Sequence, residues 1–406
     1  MKRTIAVVTS SRADYSHLYW PLHDLARHPD VDMKLIVLGA HLAPQFGETV
    51  KEIEKDGFPI AARLECLLSS DTDVGMAKTL GVAVLALADL LGQMRPDLLL
   101  LIADRYEMLA PASVALTLRI PIAHIEGGEI SEGAIDDAVR NALTKMSHIH
   151  FTSTESARAR VVAMGEESWR VHRAGAPSLD HLRRSRLLGV TELQERLQIN
   201  LQRPTVNLQR PTVNLQRPTV NLQRPTVVVA YHPVTIVRDT TQEADSLFAA
   251  LRDVDAQILF CYPNADAGSH ALMQRTRDFL ATRSDARVYV NLEAVTYWSL
   301  LRHVALLIGN SSSGIMEAAS FALPSVNVGF RQKGRERARN VLDAAPEATA
   351  ILDAIAEAMS DEFRASLAGM TNPYGDGHAA EKIVQVLTTS PLSEELLVKH
   401  TPAVRS

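Results

Sequence analysis

The sequence predicts an α/β protein made of two doubly wound halves that face a cleft. Three observations predict it. Apolar runs of strand length end abruptly in charge or polarity, as where four leucines and an isoleucine lead into Asp104 and Arg105. Runs of this kind are buried parallel strands whose C-terminal ends open to a ligand. They alternate with amphipathic stretches of helix length, and the whole series starts again near Thr226. Strand–helix alternation implies a parallel sheet with helices on its faces. Two such series in 406 residues imply two Rossmann-like domains.

The elements follow in order. IAVVT (Ile5 to Thr9) is a first strand, with a polar loop and the helical HLYWPLHDLARH after it. KLIVLGA (Lys34 to Ala40) and DLLLLIA (Asp97 to Ala103) are strands, the latter preceding a helical EMLAPASVALTLR. IPIAHI (Ile120 to Ile125) and HIHFTST (His148 to Thr154) continue the sheet. In the second series the strands are TVVVAYH, AQILFCY, ARVYVN, VALLIGN and PSVNVGF. NPYGDGHAAEKIVQVLTT reads as turn then helix, and the tail after Ser390 as frayed. The expected domains are 1–185 and 226–375, with a linker over 186–225 and a C-terminal helix and tail over 376–406. Within the linker NLQRPTV occurs four times, starting at Asn200, Asn207, Asn214 and Asn221. Proline every seven residues forbids a continuous helix, and one Thr-Val pair per copy is too little for a solenoid core. The repeat reads as a tandem duplication in a loop, which costs little to close.

Composition narrows the function. A net charge of −5 provides no global field for nucleic acid. Cys66 and Cys261 form no CxxC pair, which argues against a disulfide framework or a zinc cluster and fits a reducing compartment. The N-terminal apolar run is too short for a signal peptide, and no segment reads as a membrane span. A cytoplasmic enzyme without membrane or nucleic-acid partners is expected.

Five constellations carry chemistry. SSRADYSHL follows the first strand; Arg12 and Ser16 suit an anion there, or the loop is an ordinary N-cap with Arg12 solvated. Asp104 and Arg105 end a buried strand, as an internal ion pair or as acid–base and anion-binding groups. In HIEGGEISEGAIDD a Gly127-Gly128 turn follows His124 and Glu126, and Asp136 and Asp137 open a helix that one of them can cap. His124, Glu126, His148 and His150 have loose metal-like spacing; no metal is expected. IGNSSSGIMEAA places Ser311, Ser312 and Gly314 at a helix N-terminus suited to a diphosphate, with Glu317 on its first turn and Arg331 to Arg335 beyond. His232, in YHPVT, ends the first strand of the second series.

Together SRADYSHL, VLGAHL, ADRYE, HIEGGEISEGAIDDAVRNALTKMSHIH, AGAPSLD, YHPVT, PNADAGS, IGNSSSGIMEAA and NVGFRQKGRE resemble the hydrolysing UDP-N-acetylglucosamine 2-epimerases of sialic acid biosynthesis. The strings occur in order and span nearly the whole chain outside the repeat and tail. The non-hydrolysing relatives carry Arg-Pro-Glu where this chain has Arg12-Ala13-Asp14. The resemblance implies a glycosyltransferase-B-like fold, a homodimer or homotetramer, and no cofactor. It implies anti elimination of UDP to a 2-acetamidoglucal, then hydration to N-acetylmannosamine. Carried over by motif, Asp104, Glu126 and Asp137 are acid–base residues, with His41, His124 and Asp136 nearby. Arg12, Ser16, Arg105, His232, Asn264, Ser311, Ser312 and Glu317 are nucleotide ligands. Other readings are the same reaction on a UDP- or GDP-linked 2,4-diacetamido-trideoxyhexose, or a glycosyltransferase of the same fold.

Overall fold

The structure, a computed structural model, describes residues 2–70, 72–130, 135–199, 201, 224–232, 242–262, 269–290 and 292–400. Nearly all of the NLQRPTV repeat, and Asn264, lie outside the described residues. The chain divides into two units: Met1–Ser185 with Gly334–Glu336 and Pro373–Ser406, and Arg186–Lys333 with Arg337–Asn372.

The first unit runs β1 (Arg3–Thr9), α1 (Arg12–Arg27), β2 (Val31–Leu38), α2 (Val50–Lys55), β3 (Ile60–Leu64), α3 (Asp73–Met94), β4 (Leu98–Ile102), α4 (Leu109–Thr117), β5 (Ile122–Ile125), α5 (Asp136–Met146), β6 (Ile149–Thr152), α6 (Glu155–Ala163), β7 (Val171–Arg173) and α7 (Ser178–Arg184). The second runs α8 (Val190–Leu197), β8 (Thr226–Ala230), α9 (Gln242–Arg252), β9 (Gln257–Tyr262), α10 (Ser269–Thr282), β10 (Ala286–Val290), α11 (Ala294–His303), β11 (Leu306–Gly309), β12 (Ser325–Val328), β13 (Val341–Ala344), α12 (Ala348–Met359) and α13 (Asp361–Ser366). The chain then returns to the first unit with α14 (Ala379–Thr389) and α15 (Glu394–Leu397).

Both sheets are parallel and share one winding. The first has the order β3-β2-β1-β4-β5-β6-β7 and the second β10-β9-β8-β11-β12-β13. The chain reverses direction across the sheet between β1 and β4, and again between β8 and β11, so the strand order has its switch point there. Alternation of side chains builds both faces of the first sheet. Ile5, Val7, Leu98 and Leu100 pack under α1 and α14, while Ala6, Val8, Leu99 and Leu101 pack under α3 and α4. The second core joins Val227, Val229, Ile308 and Val326 to α9 and α12.

Three expectations need correction. Helix α3, 22 residues long, is long and apolar enough to cross a membrane by length and composition, although no such segment was expected. Its Ala83, Leu87 and Leu91 form a stripe at helical spacing that packs on the sheet. Its Ala- and Leu-rich remainder leaves Val82 and Leu85 exposed. Residues 190–197, read as linker, form α8 on the second unit, with Leu193 and Leu197 buried.

The tail after Ser390 is not frayed through His400. Leu396 is buried, and the fully buried Arg170 donates to the carbonyls of Leu396 (2.7 Å), Glu395 (3.1 Å) and Val398 (2.6 Å). Lys399 pairs with the buried Glu166 at 2.7 Å. A buried guanidinium must be paired, and here main-chain carbonyls of the tail satisfy it. The buried carboxylate of Asp180 accepts from the first two amides of α14, Ala379 N (2.9 Å) and Ala380 N (3.2 Å), and so caps that helix.

Candidate active site

The residues singled out in the sequence cluster at the switch points. Ser10 to Arg12 follow β1, and Ala103 to Arg105 follow β4. Tyr231 and His232 follow β8, and Asn310 to Ser312 follow β11. Ligands of open α/β sheets bind where these strand ends part.

In the first unit the acids gather on an arginine that sequence reading passed over. Arg140, buried on α5, forms an ion pair with Asp104 and lies 3.4 Å from Asp137 Oδ1. Its Nη1 also donates to the Glu129 carbonyl at 2.9 Å. Asp104 therefore does not pair with its neighbour. Arg105 instead makes a two-pronged contact with the buried Glu107, at 3.0 and 3.3 Å. Neither Asp136 nor Asp137 is the α5 N-cap, because Ile135 occupies that position. Both sit in the first turn, where negative charge suits the helix dipole.

Glu126 follows β5 in a left-handed conformation (φ +65°), and Ala103 follows β4 in another (φ +58°). Backbone of this kind at adjacent strand ends stores strain, roughly 1–3 kcal/mol each, and marks functional sites. Glu126 is 8% exposed, and its Oε1 accepts from His17 Nδ1 at 2.8 Å. Burial pulls the Glu126 carboxyl upward, but His17, Arg335 and Arg140 outweigh it and hold the group below the usual range. The turn that follows requires glycine. A Cβ on Gly128 (φ +77°) would stand 2.4 Å from the Ala157 carbonyl of α6, so the close approach is to protein backbone.

Glu129 lies beyond that turn and is 6% exposed, with Oε1 lacking a hydrogen-bond partner. Burial raises its carboxyl; Arg335 opposes that and the charge of Glu126 adds to it. Arg335 belongs to the first unit, and its Nε donates to the Ile130 carbonyl at 2.9 Å.

The remaining first-unit candidates are held more by protein than by open space. Arg12 pairs with Glu52 at 3.4 Å. Ser11, not Ser16, caps α1, and Ser16 Oγ donates back to the Ala13 carbonyl at 2.8 Å. His41 is fully buried between Thr9 Oγ1 (2.9 Å) and Thr49 Oγ1 (2.7 Å), and burial with Arg105 nearby pushes it down to about 3. A neutral ring with both nitrogens engaged is a support for the β1 loop. His124 Nε2 bonds the Ala103 carbonyl at 2.8 Å, and burial takes this histidine to about 4.

The histidines of β5 and β6 each have partners of their own. His148 Nδ1 accepts from Ile122 N at 3.1 Å, and His150 Nε2 meets Glu166 at 3.1 Å. Among the described residues no three His, Cys, Asp or Glu side chains gather as a metal site.

In the second unit the strand ends carry amides and hydroxyls. Asn310 locks the β8 and β11 loops together: its Oδ1 accepts from His232 N (2.7 Å) and its Nδ2 donates to the His232 carbonyl (2.8 Å). Arg331 (3.0 Å) and Gln332 (2.8 Å) both donate to the Asn310 carbonyl. Burial and Arg331 push His232 well below its ordinary value. Ser311 caps a short 3-10 turn over Ser312–Gly314, and a second such turn covers Ala318–Phe321, where an α-helix was expected. Serine hydroxyls compete for backbone partners, and the Ser313 hydroxyl bonds Ser311 (2.9 Å) and Tyr297 (2.7 Å) instead. Glu317 is buried between these turns.

Sequence reasoning gave no role to His17, Glu129 or Arg140, although all three stood inside quoted motifs, and it placed Arg335 with the loop beyond the serines rather than with the acids. Arg140 had its place one turn beyond Asp136 and Asp137 as a further signal.

The sequence profile described as UDP-N-acetylglucosamine 2-epimerase matches residues 23–388. A Legionella pneumophila protein named UDP-N,N'-diacetylbacillosamine 2-epimerase (hydrolyzing) is 34% identical over 400 residues, covering 98% of this chain and 99% of its own. A Campylobacter jejuni GDP/UDP-N,N'-diacetylbacillosamine 2-epimerase (hydrolyzing) is 34% identical and covers 84% of each chain. A UDP-N-acetylglucosamine 2-epimerase from Neisseria meningitidis is 31% identical, over 89% of this chain and 88% of that one. Among solved structures, the N. meningitidis UDP-GlcNAc 2-epimerase bound to UDP-GlcNAc matches with a TM-score of 0.77 at 16% identity, covering 95% of this chain and 99% of that one. That likeness bears on the fold, two parallel-sheet α/β domains of the glycosyltransferase-B-like class. With that profile over most of its length and relatives at 34% identity over 84% and 98% of the chain, the chain belongs to the hydrolysing UDP-N-acetylglucosamine 2-epimerase family.

Proposed function

We propose that this protein is a hydrolysing 2-epimerase whose substrate is a UDP-linked 2,4-diacetamido-trideoxyhexose, converted to the free 2-epimer and UDP. The observation that carries the choice of sugar is the 34% identity over 98% of the chain to a relative named for diacetylbacillosamine. UDP-N-acetylglucosamine, which the sequence motifs first suggested, is the second reading, favoured by the 31% identical relative named for it.

The chemistry suits the residues. The proton on C2 of a 2-acetamido sugar is weakly acidic, so a base must be held against it. Glu126, kept ionised by His17 and the arginines, is suited to that task. As C2 loses its proton, the C1–O bond breaks, its electrons leave with UDP, and a C1=C2 double bond forms. Arg105 and the loop at Ser311 and Ser312 are proposed to bind the departing diphosphate, with His232 and Glu317 on the nucleotide. Water then adds at C1 as C2 regains a proton. Asp104 and Asp137, both on Arg140, complete the acid–base set.

The test is to incubate the pure protein, without any acceptor, with UDP-diacetylbacillosamine, its GDP analogue and UDP-N-acetylglucosamine, and to measure nucleotide release. The diacetamido UDP sugar is expected to give the highest kcat/KM. Preference for UDP-N-acetylglucosamine overturns the choice of sugar. No release from any donor overturns the hydrolytic reading and favours a transferase.

A further inference from the structure

Inversion at C2 with exchange of its proton needs two groups in opposite protonation states: one to accept a proton from one face, one to deliver a proton to the other. An ionised Glu126 serves the first need and leaves the second open. Asp104 is ion-paired with Arg140, and Asp137 lies beside the same guanidinium. Both carboxylates thus already accept hydrogen bonds from one buried guanidinium.

Glu129 differs from them in how its loop is fastened. Arg140 binds the Glu129 carbonyl, Arg335 the Ile130 carbonyl, and Arg160 the Gly128 carbonyl. These arginines fix the main chain on both sides of the side chain. The carboxyl itself is nine-tenths buried, and its Oε1 has no hydrogen-bond partner. Buried polar atoms are nearly always paired, and an exception in a site is a mark of function. Burial and the neighbouring Glu126 charge both favour the protonated form of Glu129, against the pull of Arg335.

We propose that Glu129 is the acid that returns a proton to C2 in the hydration half of the reaction. The inference rests on the hydrolytic 2-epimerase reading. In the first half Glu126 takes the C2 proton and loses it to solvent. In the second, the glycal double bond takes the Glu129 proton at C2 while water bonds to C1. Glu126, ionised again, takes the proton that water sheds, and Glu129 is reprotonated from solvent. The sum is nucleotide sugar and water going to free sugar and UDP, with one proton released to UDP or solvent.

The test separates the halves in the full-length protein. Wild type and Glu129→Gln are given the nucleotide sugar in single turnover, and separately the corresponding glycal with UDP. The variant is expected to release UDP at close to the wild-type rate, to let glycal accumulate, and to hydrate supplied glycal ~10²-fold more slowly. The alkaline limb of the hydration pH profile should vanish with it. Glu129→Asp, which keeps the acid, should restore part of the rate; it carries the test if the glutamine variant does not fold. Hydration at the wild-type rate, or equal loss of both halves with loss of UDP affinity, overturns the assignment alone. A wild type that neither releases UDP nor hydrates glycal overturns the functional reading as well.

Discussion

The two units wind their sheets in the same order, yet their strand ends are furnished differently. Around β1, β4 and β5 stand Asp104, Glu126 and Glu129, with Arg140 and Arg335 among them. Around β8 and β11 stand Asn310, Ser311 and Ser313, with Arg331 bound to a carbonyl. A carboxyl flanked by arginines and a second carboxyl can exchange protons, because its charge state is adjustable. An amide–hydroxyl network cannot titrate near neutral pH, but it presents donors and acceptors in fixed directions. On the proposed reading, the winding supplies the place in both units, and the residues at the strand ends divide chemistry from binding.

The sharpest way to break this comparison is to disable each unit in turn. Glu126→Gln and Asp104→Asn should lower kcat by ~10²-fold or more and leave UDP affinity nearly unchanged. Ser311→Ala should weaken UDP binding severalfold, with a smaller change in kcat. Steady-state kinetics and calorimetry with UDP read both. Equal and mild effects on all three would remove the division of labour.

A smaller effect should follow from acid. In the first unit burial depresses His41 to about 3 and His124, His148 and His181 to about 4, against an ordinary 6.5. Between those values the unfolded chain binds more protons than the folded one, so stability present above about pH 6.5 is lost as pH falls toward 4. Asp180, raised to about 6 by burial, works in the opposite sense, as do Asp14 and Glu129, which burial also raises, but these three are outnumbered by the four histidines together with His150 and His172, which burial also depresses. The first unit should therefore lose amide protection before the second as pH drops from 7.5 to 5, read by hydrogen exchange. His148→Gln should flatten the dependence of melting temperature on pH. A second unit that opens first would contradict the assignment of the charged burden.

How much of this was legible in the sequence follows from range. Asp104 and Glu126 stood out because a carboxylate ending an apolar run is a local signal. Both sheets were readable for the same reason, since a buried strand announces itself within five residues or so. The partners of those acids were not. Arg140 lies 36 positions from Asp104, and Arg335 lies 205 from the carbonyl it holds. Nor was the docked tail, which depends on Arg170 reaching carbonyls more than 220 positions away. The misplaced helix after Ser311 has a local cause: three hydroxyls with other partners and Gly314 weaken helical preference. His17 lay in plain view on α1, but only the fold reveals that Glu126 faces it.

The smallest effect concerns strain. Ala103→Gly relieves a left-handed alanine worth about 1–2 kcal/mol, and this is offset by the added freedom of glycine in the unfolded chain, about 0.4–1 kcal/mol. A change in melting temperature of only a few degrees is expected, with kcat retained if Ala103 serves only to turn the chain. A large fall in kcat would place the strained turn inside the chemistry.

The account stands or falls on whether the first unit exchanges the C2 proton. The direct measurement is to run the reaction in heavy water with the nucleotide sugar that is turned over and to examine the free sugar by proton NMR. One deuterium at C2, with C1 still bearing its original hydrogen, is the expected result. A product that retains the substrate's own hydrogen at C2 would contradict the account.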